Sequence, residues 1–187
     1  MRHRLLVTVF LALVTSACAT MQGERPPELV VMQEFADQTS KVYGPRPGPT
    51  LFTGTAESVA NRPPLVRPVL LTHSGGHLLV RRQMVDSPYL VPAVAQALAI
   101  RANGGESEQR RRGFDASPTF PLPVLQAANA KAVDILIRVR GLSEPEAMRV
   151  MHGYIAATGD QVCPQIMDLL RRYPAHVALG AGPGCSR

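Results

Sequence analysis

Three cysteines and five histidines are the side chains of this 187-residue chain best suited to nucleophilic or metal chemistry. In "GDQVCPQIMDLL", residues 159–170, Cys163 falls near the start of an expected helix, where the positive end of the helix dipole favours a thiolate. His152 and His176 are the candidate bases, with Asp160 and Asp168 to orient one of them, which are the residue types of a cysteine hydrolase. Catalytic groups meet in space rather than in sequence, so their nearness along the chain carries little weight. In "THSGGHLLV", residues 72–80, His73 and His77 are four apart, the separation that sets two imidazoles on one helical face. Metalloprotease helices use that spacing with a Glu between the histidines to activate water. Ser74, Gly75 and Gly76 stand there instead, with no acid and two residues that break helices. Apolar runs on either side of Gly75-Gly76 signal a hairpin, because a type I′ turn needs positive φ twice. The expectation is a turn with His73 and His77 at its wet mouth, and no metal or other cofactor.

The first cysteine raises a different question. Arg2, His3 and Arg4 give a positive start, followed by ten apolar-leaning residues, Leu5–Val14. Ten residues rise about 15 Å in a helix, half of a bilayer core, which is too short to span yet suits a secretory signal. The boundary reads two ways. Ala17-Cys18-Ala19 fits the small-x-small pattern of ordinary cleavage, which removes Cys18 with the signal. Val14-Thr15-Ser16-Ala17-Cys18 resembles the bacterial lipoprotein signal, with Thr15 where that family usually has Leu. The resemblance stays within the first twenty residues and implies nothing about the remainder. It implies a thioether from Cys18 to diacylglycerol and an acyl chain such as palmitate on the freed amino group. Two or three chains hold a protein on a membrane where one would not. Ala19, rather than Asp, after the cysteine implies the outer membrane, with the domain on the periplasmic side; plain export gives a soluble periplasmic or secreted protein.

With Cys18 acylated, two thiols remain, and an even pair in an oxidising compartment predicts a Cys163–Cys185 disulfide. The alternative leaves Cys163 free as the nucleophile. Removing residues 1–17 leaves 170 residues, enough for one ordinary domain, and lowers the net charge from +6 to +4 as Arg2 and Arg4 depart. That surplus suits a solvated surface, with anionic headgroups or cell-wall polymers as partners through long-range attraction. Nucleic acid is excluded as a partner, since the chain has no Trp and no platform of interleaved aromatic and basic residues. No small-molecule substrate suggests itself.

The elements expected to carry these residues follow from periodicity. Residues 18–28 are the lipid anchor and a polar tether, and 29–187 a single domain. Pro27 opens a helix through Lys41 with Leu29, Met32, Phe35 and Ala36 on one face, stopped at Gly44-Pro45. Three prolines and two glycines in residues 43–50 predict an extended linker. A hairpin is expected near 66–84, a Ser87-capped helix over 87–102, and a polar loop over 103–118 containing Arg110–Arg112. A short helix over Leu122–Lys131 should lead into a strand, because Val133, Ile135, Ile137 and Val139 alternate with polar or long residues. Ser143 and Glu146 match a capping box opening a helix, and Asp160 caps a last one.

These elements give an α+β domain in which short antiparallel strands pack against four or five helices. The function expected is a non-enzymatic accessory or interaction subunit of an envelope assembly of the secretion, conjugation or pilus type, held on the membrane and bound to protein partners. The alternative is a cell-envelope hydrolase using Cys163 with His152 or His176.

Overall fold

The computed structural model describes residues 26–54, 69–71, 76–104, 120–158, 161–180 and 185. The expected signal segment, Cys18, His73, Arg110–Arg112 and Asp160 lie outside the described residues, as does most of the expected polar loop. Among the described residues are five α-helices, three strands and two short 3-10 segments. No described helix is long and apolar enough to cross a membrane.

Helix α1, Pro27–Tyr43, begins with a proline whose missing N–H costs nothing in the first turn, and the Pro26 carbonyl accepts from Leu29 N and Val30 N. Leu29, Met32, Phe35, Ala36, Thr39 and Ser40 form its buried stripe at helical spacing. It ends at Gly44, whose φ of 65° suits a residue without a Cβ.

The chain then turns back on α1 rather than extending away from it. Residues 44–49, expected as a spacer, are held by side chains from two helices. Arg101 donates to the carbonyls of Pro45 at 2.8 Å and Pro47 at 2.9 Å, and Gln33 to that of Pro49 at 2.9 Å. Three prolines leave this stretch short of backbone N–H donors, and these side chains supply donors to its carbonyls.

Strand β1, Thr50–Gly54, follows directly, and the sheet has the order β1-β3-β2. Central strand β3, His77–Arg81, pairs parallel with β1, from Thr50 opposite His77 to Gly54 opposite Arg81. Strand β2, Val69–Leu71, pairs antiparallel with the other side of β3, from Val69 opposite Val80 to Leu71 opposite Leu78. The expectation of purely antiparallel strands is therefore corrected: the sheet is mixed, and its β1–β3 pair is parallel. The physical reason is the folded-back proline segment, which delivers Thr50 beside Gly76, where the Thr50 N–H reaches the Gly76 carbonyl at 2.9 Å. Leu51, Leu78 and Val80 are buried on one face, while Phe52 and His77 are exposed.

Helix α2, Leu90–Ala102, is buried along nearly its whole surface, from Leu90 through Arg101. Its buried alanines at 93, 95, 97 and 99 keep the rod thin, so that α1, β2, α3 and α4 all approach it. Ser87 Oγ accepts from Tyr89 N at 3.2 Å, and Pro92, still within the first turn, removes no needed hydrogen bond. Helix α3 runs unbroken over Leu122–Arg138, so the strand expected over 133–139 is helix. Leu125, Ala128, Asn129, Ala132, Val133, Ile135 and Leu136 are buried, a spacing of three and four that continues through the alternating stretch. Burial along the whole rod overrides a local β preference.

Helix α4 spans Glu144–Thr158 and α5 Val162–Arg172. Glu146 accepts the Ser143 N–H at 2.9 Å, as a capping box requires, and the Ser143 hydroxyl donates to the same carboxylate oxygen at 2.6 Å. These bonds to its charged form hold the Glu146 carboxyl below the usual range. The core gathers where α2, α3, α4 and α5 meet, around Val94, Leu98, Ile135, Met148, Met151, Ile155, Ile166 and Leu169.

Candidate functional site

Cys163 lies in the first turn of α5 and is bonded to Cys185 across 22 positions, with Cα atoms 5.3 Å apart. Closing a loop of that size is worth about 3 kcal/mol in the chain-entropy model. The bond ends a tail with little apolar hold of its own: residues Pro174–Leu179 form a 3-10 segment without one buried residue, and Gly180 follows with φ of 69°.

Both candidate bases are used on that tail. His152 Nε2 lies 2.9 Å from the Gly180 carbonyl, and a carbonyl only accepts, so this nitrogen carries the proton. His176 Nε2 lies 2.9 Å from Glu144 Oε1, joining the 3-10 segment to the start of α4, and here too the nitrogen donates. Tyr173 adds a long bond from its hydroxyl to the Ala130 carbonyl at 3.4 Å. Asp168 is paired with Arg172 at 2.8 Å. Cys163, His152 and His176 thus each help to fasten the tail, while Asp168 pairs within α5. The two imidazoles point their Nε2 protons at oxygens of the tail and of α4, and the sulfur is in a disulfide. Immediately before this turn Gln161 has φ of 46°, a left-handed conformation that costs a residue with a Cβ about 1–2 kcal/mol.

His77 is exposed at the start of β3, its ring set edge-on to Phe52 with centroids 5.8 Å apart. Its neighbour His73 lies outside the described residues. Among the described residues no three His, Cys, Asp or Glu side chains are grouped as a metal would need.

Two polar arrangements escaped the sequence reading. The first is a chain of side chains through the core. Tyr154 Oη donates to Gln96 Oε1 at 3.0 Å, Gln96 Nε2 to Asn129 Oδ1 at 2.6 Å, and Asn129 Nδ2 to Gln165 Oε1 at 2.8 Å. Four helices, α2 to α5, each contribute one member. The signal in the sequence is Asn129 on the apolar stripe of α3, visible once 122–138 is read as one helix.

The second lies on the seam between α1 and α3. Tyr43 Oη donates to Asp134 Oδ2 at 2.6 Å, and Arg138 Nε reaches the other oxygen at 2.6 Å. Burial raises the Tyr43 hydroxyl above its ordinary range, and the bond to Asp134 and its charge raise it further. Burial likewise raises Tyr173, helped by Asp134 and Glu144. Tyr43 therefore stays a neutral hydrogen-bond donor to Asp134 at neutral pH.

No protein-family model, curated protein or solved structure matches the chain.

Proposed function

We propose that the chain is an outer-membrane lipoprotein, anchored through lipid on Cys18, whose periplasmic domain is a non-enzymatic accessory or interaction subunit of an envelope assembly. The observation that carries the reading is the bonding of Cys163 to Cys185, with His152 and His176 committed to the same tail. A disulfide in this position suits an oxidising compartment, in keeping with the signal at residues 1–17. It also leaves the alternative hydrolase without a thiolate, since a bonded sulfur cannot attack. Tyr154, Gln96, Asn129 and Gln165 join four helices to one another, which suits a rigid module presented to other proteins.

Crosslinking intact cells that carry the wild-type chain, followed by sizing of the envelope fraction, tests the reading. The expected result is a discrete complex of fixed stoichiometry containing envelope proteins. A chain that stays monomeric and uncrosslinked in the envelope overturns the subunit role. Cleavage of cell-wall polymer by the purified, oxidised protein overturns the non-enzymatic one.

A further inference from the structure

Five cations line one part of the surface. Lys41 closes α1, Arg46 donates to the Lys41 carbonyl, and both are exposed. Across the seam, Lys131 Nζ stands 5.9 Å above the Tyr43 ring, and Arg138 holds Asp134 while remaining 67% exposed at its side chain. Arg140, exposed beyond the end of α3, sets its guanidinium 5.9 Å over the Phe35 ring. The ring contacts place these cations beside α1 without neutralising them. Asp134 is the acid of the seam, and it is occupied by Tyr43 and Arg138. Of the acids of α1, Glu34 accepts from Gln38 and Asp37 from Gln33 along the same helix, and Glu28 lies in the first turn, at the end away from Lys41.

The position of this surface relative to the tether decides its partner. From Cys18 to Pro27 the chain reaches roughly 30 Å when extended, and α1 itself is about 25 Å long. A domain on such a tether stays within reach of the bilayer along the whole of α1, so an anionic surface is present at high effective concentration. We infer that the α1–α3 seam, through Lys41, Arg46, Lys131, Arg138 and Arg140, docks the domain onto the anionic phospholipid headgroups of the membrane that carries its anchor. This rests on the lipoprotein reading for its orientation. Juxtamembrane clusters of this size bind by charge, each cation changing the partition constant roughly fivefold, and the attraction falls within a Debye length.

The test uses the Cys18→Ser chain recovered from the exported fraction, so that no acyl chain contributes. It is sedimented with vesicles of phosphatidylcholine alone or mixed with phosphatidylglycerol. Binding to the mixed vesicles only, lost at high salt and weakened roughly 25-fold by Arg138→Gln with Arg140→Gln, supports the inference. Lys41→Gln with Arg46→Gln provides a second variant that touches neither α3 nor Phe35, and the same loss is expected. Equal binding to neutral vesicles, no binding to anionic ones, or unchanged binding in both variants overturns it. Displacement by inorganic phosphate beyond the effect of chloride at equal ionic strength also overturns it, in favour of a site for free phosphate. The acyl mass on wild-type Cys18 is measured separately. Its absence refutes the anchor, while selective vesicle binding in that case still supports the seam.

Discussion

The side-chain amide of Gln33 pairs with the backbone around Leu51 as a neighbouring strand would: Oε1 accepts the Leu51 N–H at 2.8 Å while Nε2 donates to the Pro49 carbonyl at 2.9 Å. These groups point away from β3, because Thr50 between them faces that strand. Gln33 therefore closes the outer edge of β1 where it begins, and an open edge invites pairing with another chain.

Gln33→Ala should cost about 1–3 kcal/mol by stranding part-buried backbone groups, and should raise self-association through the opened edge. Denaturant unfolding gives the first effect and sedimentation at increasing concentration the second. A variant as stable and as monomeric as the parent contradicts this role for the amide.

Asn129→Ala should be among the most damaging single changes. It strips one partner each from Gln96 and Gln165 and opens a cavity between α2, α3 and α5, with an expected loss of about 2–4 kcal/mol. Thermal and urea unfolding measure it. A loss under about 1 kcal/mol, the worth of an ordinary hydrogen bond, argues that the four-helix chain is incidental.

The Glu146 carboxyl sits below its usual range, so it contributes stability that is present above about pH 4.5 and lost as the pH falls through its folded-state value. Glu146→Gln lacks that contribution. The gap in melting temperature between wild type and variant should be widest near neutrality and should narrow below pH 4.5. A gap constant down to pH 3 speaks against the charge as its source.

Much of this architecture was legible in the sequence. The stripe of α1, the Ser143–Glu146 cap and the cysteine pairing all depend on residues close together or on counting. What was not legible depends on partners far along the chain. The proline-rich stretch 43–50 reads as an extended spacer until Arg101, more than fifty positions later, supplies its donors. The strand expected over Val133–Val139 shows how a short window misleads: alternate β-branched residues obey a period of two there, while burial from Leu125 onward follows the helix. The direction of β1 was hidden for the same reason as the proline segment that aims it. Of the candidate site residues, Cys163, His152 and His176 do fall in one region, but what their protons and sulfur bond to is a matter of tertiary geometry.

Replacing Cys163 and Cys185 together by Ala should lower stability by about 3 kcal/mol. Amide exchange should rise most over residues 174–180, where the bonds of His152 and His176 and the packing of Leu179 would remain as fasteners. Unchanged exchange in that segment means the histidines hold the tail without the bond.

Anchorage through Cys18 decides where the chain is held. Intact mass of the protein extracted from cell membranes, compared with a Cys18→Ser variant, tests this most directly. The expected result is a mature chain beginning at Cys18 with the added mass of diacylglycerol and an acyl chain, and a variant released from the membrane fraction. A wild-type protein without acyl mass, together with a Cys18→Ser chain that still fractionates with membranes, contradicts it.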